Sequence, residues 1–176
     1  MTGLDRFLTT RLAAERLRPE HKGEIHRAHQ DPVQMATLGG VKDEAGTAAY
    51  MKVNLEHWDR HGFGIWLLRD RQDGKVAGRA LLRHLLIEEQ DEVEVGYSFY
   101  PAYWGRGLAT EAAAACLDIA RDTLRLPSVV AVTLPTNQGS QQVMTRIGMY
   151  FEREYDHAGL PHVLFRIAFA DSGGVA

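Results

Sequence analysis

A single cysteine, Cys116, among 176 residues excludes an internal disulfide and cannot by itself hold zinc. No uncharged apolar run approaches the ~20 residues that a membrane span needs. Neither sign of charge is in excess: 20 Lys+Arg stand against 23 Asp+Glu, a formal net charge of −3. That balance argues against a nucleic-acid protein held by a basic surface. Charges interrupt the start, Met1-Thr-Gly-Leu-Asp-Arg-Phe-Leu-Thr-Thr-Arg11, where a secretory leader would need an apolar core. Repeats and low-complexity linkers are also missing. At 45% hydrophobic and 24% charged, the composition is that of an ordinary globular chain. The expectation is a reduced, soluble, cytoplasmic protein of one domain over residues 1–176, with a core over about 9–170 and a flexible tail at 171–176.

Loose alternation predicts a first strand over Leu8–Leu17, ended by Pro19. Pro19 then suits the first turn of a short helix through His29, where its missing N–H costs nothing. Ala48, Met51, Leu55 and Trp58 recur at spacings of three and four and predict a second helix after Asp43, with Gly62 as its stop. A hairpin follows, Gly64–Leu68 and Lys75 towards Ile87, turning at Asp73-Gly74. Beyond the acidic stretch Glu88–Glu92, a strand is predicted over Val93–Phe99, then an Ala-rich helix from about Leu108 to Thr123. Val129–Leu134 reads as a short buried strand, and a helix starting near Asn137 or Ser140 ends before Gly148. Strands at about Phe151–Tyr155 and Val163–Ala170 close the chain around Gly159-Leu-Pro161. The order β-α-α-β-β-β-α-β-α-β-β implies an α+β (mixed α/β) protein: a central twisted mixed sheet with helices on both faces.

Trp104-Gly-Arg-Gly-Leu-Ala-Thr110 joins a predicted strand to a predicted helix. Glycines there permit backbone angles that other residues resist, and they let the chain approach a ligand closely. The first helical N–H groups and the helix dipole suit a pyrophosphate. Read alone, a Gly-x-Gly at such a turn is more often plain turn chemistry. No third glycine follows three residues after Gly107, so this is not the dinucleotide fingerprint, and Gly-Lys-Ser/Thr of the P-loop is absent.

Three ordered segments carry a resemblance. Val93-Glu-Val-Gly-Tyr97, then Tyr103-Trp-Gly-Arg-Gly-Leu-Ala-Thr-Glu-Ala112, then Pro135-Thr-Asn-Gln-Gly-Ser140 with Val143-Met-Thr-Arg-Ile-Gly-Met149, resemble the GCN5-related N-acetyltransferases (GNAT). More narrowly, they are similar to the RimJ/RimL-type branch that acetylates ribosomal-protein N-termini. Arg16-Leu-Arg-Pro19, His61-Gly-Phe-Gly-Ile-Trp66 and His157-Ala-Gly-Leu-Pro-His-Val-Leu-Phe-Arg166 extend the likeness from about Leu12 to Ile167.

The resemblance implies the acyl-CoA N-acyltransferase fold, whose central sheet has a V-shaped splay, and acetyl-CoA as co-substrate with no metal. The family's pyrophosphate loop falls on Trp104, Gly105, Arg106, Gly107, Leu108 and Ala109, with backbone N–H groups from about Arg106 to Thr110 on the phosphates. The strand around Tyr97, Ser98 and Phe99 would pair its backbone with the pantetheine arm. Asn137 and Ser140 match the family's second coenzyme-contacting helix. Many relatives carry a Tyr at the position of Met144 to protonate the departing thiolate, so another group must take that role here.

Acetyl transfer to an amine needs a base, a polarised carbonyl and a proton for sulfur. Glu94, on the strand beside the splay and facing away from Val93, Val95 and Tyr97, is the expected base; a merely solvated acidic run is the alternative. Ser140 is the candidate donor to sulfur, a helix N-cap is the stronger of its two readings, and Asn137 carries the same ambiguity. A backbone N–H near Tyr97 or Ser98 would polarise the carbonyl. His57 and His61, at i and i+4, have metal-binding spacing but no third ligand, and read as helix-surface residues. His157 and His162 flank the last turn, where relatives shape the acceptor pocket. Trp58, Phe63 and Trp66 read as core, and Cys116 as a buried apolar residue.

The expected acceptor is a primary amine, a protein N-terminus first and a small-molecule amine, including an antibiotic, next. Its surface is expected from residues 31–47 and 156–162. The likeness implies a monomer or homodimer that binds neither nucleic acid nor membrane. A coenzyme A-binding sensor without catalysis is the reading from another class, and a nicotinamide-binding domain is a remote one.

Overall fold

The structure, a computed structural model, describes residues 3–157 and 159–170; the tail expected at 171–176 lies outside the described residues. Two short strands open the chain, β1 (Arg6–Leu8) and β2 (Leu12–Arg16). A 3-10 turn at Pro19–His21 leads into α1 (Lys22–His29) and the single-turn α2 (Pro32–Met35). The carboxylate of Asp31 caps α2, accepting from the N–H groups of Val33 and Gln34. Helix α3 (Glu44–His61) is capped by Asp43 at Gly46 N–H and stops at Gly62, whose φ of 74° ends the coil.

Three antiparallel strands follow: β3 (Ile65–Asp70), β4 (Val76–Ile87) and β5 (Gln90–Phe99). Helix α4 (Leu108–Asp118) buries Leu108, Ala112, Ala113, Cys116 and Leu117, and runs into a π-helical turn over Ile119–Thr123. The remainder is β6 (Ser128–Thr133), α5 (Gln138–Arg146), β7 (Tyr150–His157) and β8 (Leu160–Ala168).

All eight strands join one sheet in the order β1-β2-β3-β4-β5-β6-β8-β7. Every neighbouring pair is antiparallel except β5 and β6, so the sheet is mixed, as expected. The parallel pair is joined at a single registered position, Glu94 opposite Val130. Past that rung the strands diverge, and the β6-facing backbone of Val95–Phe99 has no registered partner on β6. On its other side the same stretch pairs with β4, from Leu82 opposite Val95 to Gly78 opposite Phe99.

Successive strand residues face opposite ways. The Tyr97 hydroxyl meets Ser140 of α5, while the Ser98 hydroxyl accepts from Gln34 of α2 at 2.9 Å. Helices α5 and α2 therefore lie on opposite faces. Helix α4 packs beside α5, and α1 packs against both α2 and α3.

Trp58 and Trp66 sit in the core at 1% and 0% exposure, with their ring centroids 5.4 Å apart edge to face. Each buried indole N–H has an acceptor: Ile65 O at 2.8 Å and Leu4 O at 2.7 Å. Phe63 is buried beside them, and Cys116 lies wholly in the core, where burial pushes its thiol up to about 12. The thiol is therefore inert near neutrality.

Four expectations need correction. The strand expected over Leu8–Leu17 is a hairpin, because Thr9 turns the chain by pairing its backbone N–H with Leu12 O and its hydroxyl with Leu12 N–H. The acidic stretch is shorter than expected: Glu88 and Glu89 form a tight turn with φ of 46° and 67°, and Gln90, Asp91 and Glu92 already belong to β5. Asn137, not Ser140, caps α5, since its Oδ1 accepts from Ser140 N–H at 3.1 Å. His57 is no simple surface residue. Beyond Leu81, β4 has no registered partner on β3, and the His57 ring closes that edge, accepting from His84 N–H at 3.0 Å and donating to Phe63 O at 2.9 Å.

Candidate functional site

The divergence of β5 and β6 leaves a cleft along the β5 edge at one end of the sheet. On leaving the sheet, the chain passes through a 3-10 turn at Pro101–Tyr103, and the indole of Trp104 donates back to Phe99 O at 2.9 Å. Gly105 and Gly107 follow with φ of 70° and 74°, angles at which a side chain is strained. Gly107 is also the N-cap of α4, and no side chain caps that helix. Its first-turn N–H groups, on Leu108, Ala109 and Thr110, therefore point out of the positive helix end without a side-chain acceptor.

A second arginine braces this loop from outside. Arg11, in the β1–β2 turn, donates through Nη1 to Arg106 O at 2.6 Å and through Nε to Glu111 at 2.7 Å. Glu111 also accepts from Thr9 Oγ1 at 2.6 Å and from Arg11 N–H at 2.8 Å. Arg106 itself is drawn back along the sheet, its guanidinium 3.2 Å from Asp70 and stacked 5.3 Å from the Tyr103 ring. The Gln72 N–H, and after it the Arg106 guanidinium, hold the Asp70 carboxyl below its ordinary range.

Across the cleft, one chain of hydrogen bonds links β6, α5 and β5. Asn137 Nδ2 donates to Thr133 Oγ1 at 3.0 Å, Ser140 N–H donates to Asn137 Oδ1, and the Tyr97 hydroxyl donates to Ser140 O at 3.0 Å. Ser140 Oγ stands 3.1 Å from the same Tyr97 hydroxyl. Burial pushes the Tyr97 phenol up to about 12, so it is a proton-bearing donor at neutral pH. Met144 lies on the buried side of α5 at 2% exposure.

On the opposite face of β5, at the rung where the strands part, Glu94 is 5% exposed. Its carboxylate accepts from Arg83 Nε at 2.5 Å, the residue directly across the β4–β5 ladder. Burial, and after it the charge of Glu94, raises the phenol of Tyr155 on β7. Strand alternation thus separates a carboxylate on one face from the Tyr97 and Ser140 hydroxyls on the other, with the open backbone edge of β5 between them.

Arg83, Tyr155, Arg11 and Glu111 were not singled out from the sequence as site residues. Glu111 had a signal, an acid in the first turn of a helix whose dipole favours it. His157 and His162 lie out on β7 and β8, ring centroids 5.7 Å apart. His61 and His84 stack at 4.2 Å beside His57. Among the described residues no group of three metal-ligating side chains is arranged for an ion, and no helix is long and apolar enough to cross a membrane.

Comparison with known proteins gives a consistent result. A family model described as "Acetyltransferase (GNAT) domain" matches residues 11–150. YkkB of Bacillus subtilis strain 168, an uncharacterised protein, is 32% identical over 123 residues, 70% of this chain and 72% of that protein. The crystal structure of an acetyltransferase from Agrobacterium tumefaciens C58 is similar at a TM-score of 0.83 and 26% identity, covering 96% of this chain and 97% of the other. RimL, a ribosomal L7/L12 alpha-N-protein acetyltransferase in complex with coenzyme A, shares the fold at a TM-score of 0.75 and 16% identity, over 92% of this chain and 96% of its own.

Proposed function

The chain belongs to the GNAT acetyltransferase family and has its acyltransferase fold, and from that premise we propose an enzyme that moves an acetyl group from acetyl-CoA directly to a primary amine, as one domain of the RimJ/RimL-type branch. A protein N-terminal amine is the first acceptor proposed. A small-molecule amine is the second, since the fold alone does not select between them. The observation that carries the reading is the cleft itself: a one-rung parallel pair opening onto an uncapped helix end behind two positive-φ glycines.

The residues present fit acetyl-CoA. The first-turn N–H groups of α4, with the loop Trp104–Thr110, form an anion cradle for the pyrophosphate. The free β5 edge over Tyr97–Phe99 offers N–H and C=O groups to an extended amide chain. Asn137 and Ser140 flank it from α5. Bound there, acetyl-CoA would supply the activated acetyl group.

Glu94 acts as the base, taking the amine proton directly or through water. Arg83 Nε already occupies one side of the carboxylate, which favours a water-mediated path. A β5 backbone N–H near Tyr97 or Ser98 polarises the carbonyl. On the other face, the Ser140 and Tyr97 hydroxyls supply the hydrogen bond, and then the proton, that a departing sulfur requires.

Free-thiol release from acetyl-CoA is the test, run over N-terminal Ser, Ala and Met peptides, polyamines and aminoglycosides, with a no-acceptor blank. Release with one acceptor class and its loss in Glu94→Gln at neutral pH, with acetyl-CoA binding retained, is the expected result. Full activity in Glu94→Gln would remove Glu94 from the chemistry. Coenzyme binding with no release over the whole panel would favour a non-catalytic sensor.

A further inference from the structure

Arg79 is a buried cation without an anion. It lies on β4 opposite Ser98, on the Glu94 face of the sheet, and is 7% exposed. Other part-buried arginines of the sheet have carboxylates: Arg83 has Glu94, Arg69 has Glu15 and Glu24, and Arg166 has Glu92 and Glu152. Among the described residues no carboxylate reaches ion-pair distance of Arg79, whose guanidinium instead lies 5.3 Å from the centroid of the Tyr50 ring. Buried charges are ordinarily paired, so a guanidinium this little exposed with no carboxylate beside it has room for a partner from outside.

A second, independent observation lies beside it. Gln34, 4% exposed, donates through Nε2 to Ser98 Oγ, and its Oε1 is buried with no partner. Gln34 and Arg79 together line a cavity of about 10 Å³, room for about one water. Through Glu24, Val76 and Tyr100 that cavity adjoins an open groove of about 720 Å³. An unpaired cation and an unpaired acceptor thus line a water-sized cavity that shares three residues with the open groove.

Their place relative to the cleft gives this meaning. Arg79 pairs with Ser98 and Arg83 with Glu94, so the two positions are four residue steps apart along β5, about 13 Å at about 3.3 Å per residue. Between them Leu81 lies opposite Gly96, and its side chain folds over the glycine, 3.1 Å from where a Cβ would stand. The face therefore offers a carboxylate for an amine at one end and an unmatched guanidinium at the other.

We propose that Arg79, with Gln34, forms an anion subsite of the acceptor pocket, so that the acceptor is a primary amine carrying a carboxylate about three residues of extended peptide away. The carboxylate pairs with the guanidinium while the amine faces Glu94, and a backbone N–H of the same acceptor can satisfy Gln34 Oε1. This rests on the acetyl-transfer reading and narrows its substrate class.

The probes are Ala-Ala-Ala with a free C-terminal carboxylate and the same peptide as its C-terminal amide. Calorimetric binding in the presence of coenzyme A, and thiol release with acetyl-CoA, are measured on the wild type, Arg79→Gln and Arg79→Lys. The free acid should bind at least about tenfold more tightly than the amide on the wild type. That ratio should fall to near one in Arg79→Gln and return in part in Arg79→Lys. The urea midpoint of Arg79→Met should not fall, because an unpaired buried charge has been removed; a purely structural arginine would lower it. Equal binding of acid and amide to the wild type overturns the subsite. Selective binding of the acid without any thiol release overturns the transfer reading and leaves the subsite standing.

Discussion

Tyr97 reaches across the cleft to Ser140, its hydroxyl 3.0 Å from the carbonyl oxygen and 3.1 Å from Oγ. The contact ties β5 to α5 at the point where Met144, two percent exposed, leaves no hydroxyl of its own. Two hydroxyls from different elements thereby share one place beside the open strand edge.

Tyr97→Phe should lower kcat by about 100-fold, the low end of what a positioned proton donor contributes, because the Ser140 hydroxyl shares the place. Acetyl-CoA affinity should change by less than about threefold. With the phenol up at about 12, the rate profile between pH 6 and 9 should show no inflection from this group. Steady-state kinetics with calorimetric coenzyme binding is the measurement. An unchanged kcat in a folded Tyr97→Phe would leave Ser140 as the donor by itself.

Gly107→Ala tests the loop. A Cβ there would meet only Arg11 Nη2, at 3.6 Å, so space permits it and the cost is conformational. At φ of 74° that cost is about 1 kcal/mol, read as a shift in the urea midpoint. Acetyl-CoA binding should weaken by a larger factor than stability alone explains, because the same angle aims the first N–H groups of α4. Equal losses would make Gly107 a turn residue only.

Acid should loosen the fold through two histidines. Burial, and for His29 the nearby Arg79 charge, lower both His29 and His57 to about 4. The unfolded chain, with imidazoles near 6.5, binds more protons than the native one between those values. Stability is therefore full above about pH 6.5, declines as pH falls towards 4, and loses no more from these groups below that. Urea midpoints at pH 7.5, 6 and 5 should show the decline, and His57→Gln, which keeps an acceptor for His84 N–H, should flatten it. A midpoint constant across that range would contradict the buried-neutral state of both rings.

Much of the architecture was legible where local chemistry decides it. Helix α3 has its capping Asp43 and its stop at Gly62, and the alternation of Val93–Tyr97 correctly separates Glu94 from its neighbours. The Glu88-Glu89 turn was not legible, because positive φ at both positions is the habit of Asn-Gly, not of two glutamates. The long β4–β5 ladder imposes it from both sides. Without that turn, the register that sets Arg83 against Glu94 could not be counted out. The β1–β2 hairpin was hidden for another reason: Glu111, which grips Thr9 and Arg11, lies a hundred residues away. Helix α2, at four residues, is too short for any periodicity, yet it brings Gln34 to Ser98.

The loop also carries its own optical label. Trp58 and Trp66 are sealed at 1% and 0% exposure, and their indoles answer to the core alone. Trp104 is the third tryptophan of the chain, 54% exposed, standing at the entrance to the glycine turn with its N–H held by Phe99 O. Red-edge emission and its quenching by solutes thus report on this one stretch of backbone. The occupancy of the cradle can be followed by light, in the unlabelled protein, without waiting for turnover.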